Sequence, residues 1–145
     1  MIDGVFIKKL KEIEDSRGNV MQMVRSDAAY FKSFGEVYFS QIKQGMIKAW
    51  RKHLKMSQLF AVPIGNIRLV IFDDRKQSPT NGQIMEIEAG ARNYCLIRIP
   101  PLVWYGFKGL SDPLSLVANC ADIPHDPNEI VRAEPAESVV PYIWK

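Results

Sequence analysis

Cysteine is scarce in this chain. Two thiols, Cys95 and Cys120, stand in 145 residues, far apart and each in apolar surroundings. They read as reduced thiols of a hydrophobic core, as free cysteine behaves in a reducing compartment; a disulfide or a reactive thiol is the alternative. No apolar run approaches the length of a membrane span, so no membrane segment is expected. The opening MIDGVFIKKLKEIED carries its charges after its apolar residues and lacks a small-residue cleavage site. It therefore does not read as a secretory signal, and the cytoplasm is the expected compartment. Internal repeats, low-complexity stretches and linkers are missing too. Charge of one sign is also in short supply: 19 basic residues against 16 acidic ones leave a net charge of +3. That is too mild and too scattered for a nucleic-acid partner, and allows at most a weak pull on anions such as phosphates.

What is present is ordinary globular composition, 47% apolar and 24% charged, in a length that suits a single domain spanning residues 1–145. Strand-like runs recur along the chain between turn signals. GVFIKKLKEIE alternates apolar and charged residues as one strand, DSRGN is a turn, and NVMQMVR is a further strand. SDAAYFKSF opens on a Ser-Asp cap signal and predicts a short helical turn. GEVYFSQIKQGMIKAWRKH reads as two strands broken at Gln44-Gly45. SQLFAVPIGNIRLVIFDDR reads as a hairpin turning at Gly65-Asn66. IMEIEAG, NYCLIRIPP, YGFKGL and LSLVANCAD continue the pattern, and the proline-rich tail from Ile123 predicts irregular structure. Many short strands with Gly and Pro turns predict an all-β sandwich or barrel, closed as a jelly roll to remove exposed edges.

Histidine is as scarce as cysteine: His53 and His125 are the two in the chain. His125 lies in the irregular tail and reads as a loop residue. His53 stands in GMIKAWRKHLKMSQLFAVPIG, two residues after Arg51. Side chains alternate along a strand, so Arg51 and His53 share a face. The order Gly45, Arg51-x-His53, Gln58, Gly65 has the spacing of the first cupin motif, in which glycine is followed by His-x-His, Glu and Gly. IPPLVWYGF resembles the second motif, with Leu102 in the place of its glycine and Tyr105 in the place of its histidine. The positions that bind metal in a cupin are thus Arg51, His53, Gln58 and Tyr105. Arginine has no lone pair to give a metal and glutamine brings no charge. A catalytic metal needs several protein ligands, so no metal and no cofactor is expected.

A narrower resemblance covers about Glu14 to Pro135. The stretches EDSRGNVM, GEVYFSQIKQGMIKAWRKH, VIFDDRKQSPT, IPPLVWYGF and ANCADIPHDPNEIVRAEP are similar to those of the nucleotide-sugar cupins, the dTDP-4-dehydrorhamnose 3,5-epimerases and the dTDP-4-keto-6-deoxyhexose 3,4-ketoisomerases. The resemblance implies a metal-free jelly roll, a dTDP-linked sugar ligand, a homodimer, and proton transfer beside a 4-keto group in glycan biosynthesis. Carried over by position, it puts Lys48 on a phosphate-facing cation and Arg51 on the epimerase base. It puts Gln58 on the lysine that steadies the enolate and Ala118 on the tyrosine that protonates the opposite face. Glu134, before Pro135, matches the aspartate that orients the base. The ketoisomerase frame instead puts His53 on the second histidine of its His-x-His, the base, and Lys55 on the second of its paired lysines. Arg17 matches an arginine that reaches the diphosphate, often across a dimer interface; it also reads as plain turn chemistry beside Asp15.

The chemistry these residues could do follows from their types. Histidine removes a proton beside a ketone with the least tuning, and a cation must stabilise the enolate oxygen. His53 is then the candidate base, Arg51 the enolate partner, Tyr105 a donor, and Glu134 a partner for Arg51. Lys48, Gln58, Arg17, Trp50 and Trp104 are candidate substrate-binding residues. Core packing is the alternative for both tryptophans and barrel-wall packing for Tyr105. Asp73-Asp74 before Arg75 reads as turn chemistry. Two functions stay open: an isomerase or epimerase of a nucleotide-linked 4-keto-6-deoxy sugar, and a non-catalytic cupin that binds such a ligand.

Overall fold

Two five-stranded antiparallel sheets face each other in the computed structural model, which describes residues 1–145. In chain order the strands are β1 (Phe6–Lys9), β2 (Glu12–Asp15), β3 (Gly18–Met21), β4 (Glu36–Lys43), β5 (Ile47–His53), β6 (Gln58–Ile64), β7 (Asn66–Phe72), β8 (Ile84–Gly90), β9 (Cys95–Ile99), β10 (Trp104–Gly109), β11 (Leu114–Ala121) and β12 (Ile130–Arg132). The first sheet runs β1-β9-β6-β11-β4 and the second β12-β5-β10-β7-β8, while β2 and β3 form a separate ribbon. This is the jelly roll expected from the sequence. Alternating residues of both sheets fill the space between them: Phe60 and Val62 of β6, Leu69 and Ile71 of β7, Ile97 of β9, Phe107 of β10 and Val117 of β11. The outer faces are covered as well. N-terminal segments cover Leu59, Ala61, Leu96 and Cys120 on one side, and the C-terminal tail covers Trp50, Val70 and Trp104 on the other. Cys95 and Cys120 are free and buried, in different clusters.

Three local expectations change. The segment SDAAYFKSF forms successive turns rather than a helix: a single helical turn gains too few hydrogen bonds to offset its nucleation. The only helix is a 3-10 turn at Pro127–Glu129, inside the tail, where Asp126 caps it by accepting from Asn128 N–H at 2.9 Å. The strands flanking Gly65 do not pair with each other. β6 pairs with β9 and β11, and β7 with β8 and β10, so the chain turns a corner from one sheet to the other there. Gly65 has a φ of 73°, and a Cβ on it would meet Ser115 Oγ at 2.5 Å. The run GVFIKKLKEIE splits into β1 and β2, because Leu10 turns inward into the outer cluster.

Asp73, fully buried, organises the loop after β7. It accepts from Arg75 Nε at 2.8 Å and from the hydroxyls of Ser78 and Thr80 at 2.6 Å each. Burial pushes its carboxyl up, but these bonds outweigh burial and hold it well below the usual carboxylate range. DDRKQSPT is therefore a self-stapled loop, as turn chemistry predicts.

Candidate active site

At one end of the sandwich the strands bring a row of polar side chains into the interior. His53, the last residue of β5, is 4% exposed. Its Nδ1 is hydrogen-bonded to Glu129 Oε1. Glu129, 2% exposed, also accepts from the backbone N–H of Lys55 and of Met56, both at 3.1 Å, through its other oxygen. Burial raises the Glu129 carboxyl, but the His53 bond and the two N–H bonds together bring it below its ordinary value. An ionised Glu129 holds a proton on Nδ1, so in the neutral tautomer of the ring Nε2 carries the lone pair. Nε2 faces the Tyr105 hydroxyl at 3.3 Å. Tyr105 is buried, and burial pushes its phenol up to about 12. It donates to Gln58 Oε1 at 3.2 Å, which also accepts from Asn119 Nδ2 at 2.8 Å.

This row borders a cavity of about 240 Å³ lined by Glu36, Tyr38, Arg51, His53, His125 and Arg132, among others. Arg51 and His53 point inward together, as their spacing predicts. Arg51 is half-buried and forms no ion pair. Lys48 reaches the same interior although it is three residues from Arg51, a spacing that puts side chains on opposite faces of a regular strand. The reason is a bulge: Tyr105 pairs with Arg51 and Phe107 with Lys48, so two steps along β10 match three along β5. An extra residue reverses the alternation beyond it. Lys48 Nζ then donates to Ser40 Oγ at 2.8 Å and to Gln41 O at 2.6 Å. Burial and the Arg51 charge both lower its pKa. Neither half-buried cation forms an ion pair with a carboxylate, which leaves charge that an anionic ligand would neutralise.

A sequence model for the family described as dTDP-4-dehydrorhamnose 3,5-epimerase matches residues 1–139. The chain belongs to that family. Among its relatives, the probable low-salt glycan biosynthesis epimerase Agl13 of Haloferax volcanii is 34% identical over 143 residues, covering 97% of this chain and 88% of that one. The spore coat polysaccharide biosynthesis protein SpsL of Bacillus subtilis is 36% identical over 118 residues, covering 81% and 78%. The crystal structure of a dTDP sugar isomerase from Desulfovibrio desulfuricans G20 superposes with a TM-score of 0.96 at 44% identity, covering 99% of this chain and 92% of that one.

Within this epimerase-family fold, several expected site residues lie elsewhere. Trp50 faces outward, 1% exposed, against Trp144 and Tyr142 at ring distances of 5.2 and 6.2 Å. Trp104 also packs on the outer face; its Nε1 donates to Asp74 at 3.0 Å and Lys52 stands 4.7 Å above its ring. Core packing, the alternative reading, describes both. Glu134 is exposed and has no contact with Arg51; the carboxylate that orients the histidine is Glu129, five residues earlier. Its signal in the sequence was the Asp-Pro-Asn-Glu capping pattern, which fixes the 3-10 turn that aims Glu129 inward. Arg17 sits at the tip of the β2–β3 ribbon, paired with Asp15 at 2.8 Å and away from this cavity. Ala118, placed on the epimerase tyrosine by the sequence frame, faces outward between Ala61 and the exposed Phe39. The inward residue is its neighbour Asn119. His125 is a loop residue, as expected, and borders the cavity.

The cupin metal positions carry a guanidinium, one imidazole whose Nδ1 is held by Glu129, a neutral amide and a phenol that burial keeps protonated. This donor set does not fit a metal, and no step below uses one.

Proposed function

We propose that this protein moves a proton beside the 4-keto group of a dTDP-linked 4-keto-6-deoxy sugar in glycan biosynthesis, with His53 as the base. The observation that carries the reading is the buried Glu129–His53 pair opening onto a cavity that also holds the unpaired cation Arg51. Glu129 fixes the tautomer, Nε2 takes the proton, and the Arg51 guanidinium stabilises the enolate oxygen. Lys48 and Arg132 suit the diphosphate. Family membership supports the substrate class, and more distant proteins of this fold have been solved with dTDP, dTDP-quinovose or dTDP-4-keto-L-rhamnose bound. We place the protein in the cytoplasm as a homodimer. The β2–β3 ribbon supports the dimer, since it exposes Ile13 and Val20 beside Arg17 and a lone two-stranded ribbon is marginally stable in water.

The test is deuterium exchange. With dTDP-4-keto-6-deoxyglucose in deuterated water, NMR should show exchange at a carbon next to the ketone, abolished in His53→Asn. Binding of dTDP without exchange would favour the second reading, a ligand-binding cupin, for which Gln58 at the lysine position speaks.

A further inference from the structure

The cavity holds one more hydroxyl, that of Tyr38, which the mechanism above leaves unused. Tyr38 lies on β4 in the first sheet, whereas His53 lies on β5 in the second. Facing sheets pack ~10 Å apart, so the two residues stand on opposite walls of the interior. Both residues line the same cavity. The Tyr38 oxygen accepts a hydrogen bond from Asn119 Nδ2 at 2.8 Å. That amide is held in turn by Gln58 Oε1, which takes the Tyr105 hydroxyl beside His53 Nε2. The bonded row thus begins at the imidazole and ends at Tyr38.

The direction of these bonds matters. Asn119 spends its donors on Gln58 and Tyr38, so Tyr38 is an acceptor there and its own O–H has no protein acceptor. Asn119 is 1% exposed, and its Oδ1 is buried without any donor. Buried polar atoms are rarely left unpaired. That oxygen has no open surface and lies outside the cavity lining, so the group offered to a ligand is the free O–H of Tyr38.

We propose that Tyr38 is a catalytic residue that reprotonates the enolate from the wall opposite His53. The proposal rests on the proton-transfer function given above. His53 Nε2 takes the proton from the carbon, and the C–H electron pair becomes the enolate π bond. The enolate carbon then takes the proton of the Tyr38 O–H, whose electron pair stays on oxygen. His53 loses and Tyr38 gains one proton through water at the cavity mouth, so the net change is an inversion with no co-reactant. Burial raises the Tyr38 phenol; the Asn119 N–H and the Arg51 charge act against it, and Glu36 and Glu129 add to burial. The hydroxyl that β11 lacks is thus supplied from β4.

Wild type, Tyr38→Phe and His53→Asn are compared with dTDP-4-keto-6-deoxyglucose in deuterated water, following deuterium uptake and epimer formation separately. Tyr38→Phe should keep uptake within a few-fold and slow inversion by about 100-fold or more, the usual size of a lost general acid; His53→Asn should lose both. Inversion by Tyr38→Phe at the wild-type rate, or a wild type that takes up deuterium without inverting, overturns the role of Tyr38 and leaves His53 as base. A wild type with no uptake overturns the function itself. Should the Phe variant fail to fold, Tyr38→His restores a proton donor: partial inversion supports the assignment, and uptake with no inversion refutes it.

Discussion

Replacing Glu129 by glutamine keeps the side chain's shape and removes its charge. The carboxylate accepts from three groups at once: the ring of His53 and the N–H groups of Lys55 and Met56. A glutamine can satisfy the two backbone donors with its one oxygen, which turns its NH₂ toward His53. The ring must then accept at Nδ1 and carry its proton on Nε2, the atom that should take the substrate proton. A wrong tautomer behind intact geometry lowers kcat by up to about 10⁴ in a comparable acid–histidine pair, and a loss of about 10²–10⁴ is expected here. Dissolved dTDP should still bind, so the loss falls on kcat and not on KM. ¹⁵N NMR of the ring should report the exchanged tautomer. The fold should lose only about 1–2 kcal/mol, since two of the bonds survive. Glu129→Ala removes all three and leaves a buried ring and two N–H groups unpaired, which costs about 3–5 kcal/mol, a fall in Tm of roughly 10 °C for a chain of this size. Wild-type turnover in Glu129→Gln would refute the assignment of His53 as a base oriented by Glu129.

Further outcomes follow from the same geometry. Glu129 and Asp73 both have folded-state pKa values held below the ordinary carboxylate value. Their stabilisation is therefore complete above about pH 5, past the ordinary carboxylate values, and lost as pH falls through the depressed values; acid titration followed by circular dichroism should show unfolding in that range, moved upward in Asp73→Asn. Leu102 has a φ of 68° and its N–H donates to His53 O at 2.7 Å; Leu102→Gly should relieve about 1 kcal/mol of left-handed strain, less part of glycine's extra chain entropy, and a calorimetric Tm unchanged or raised by a degree or two is expected, a fall of several degrees counting against the strain. Arg51→Met should lower kcat by about 100- to 1000-fold, the loss of one group on the developing oxyanion, while dTDP affinity measured by calorimetry stays within a few-fold; wild-type turnover would place the enolate oxygen elsewhere.

The sequence carried the architecture because strand alternation and turn residues are local properties. Short alternating runs and Gly or Pro breaks are enough to specify an all-β sandwich or barrel, the cupin resemblance made it a jelly roll, and strand alternation put Arg51 and His53 on one face. Leu102 stands where the second cupin motif has its glycine, which matches its left-handed φ of 68°. What escaped depends on neighbours distant in sequence. Lys48 points inward because β5 bulges against β10, and only the pairing register reveals an inserted residue. Trp50 points outward by plain alternation with Arg51, onto a tail whose path no local pattern predicts. The strands around Gly65 looked like a hairpin because a corner between sheets uses the same glycine conformation as a turn within one. Glu129 was hidden by 76 residues of separation from His53, and Glu134 took its place by resemblance alone. The sequence by itself decided which chemical groups this protein has and the fold that carries them; the tertiary structure decided which of those groups meet, because a hydrogen bond depends on ångström distances that strand register sets and chain order does not.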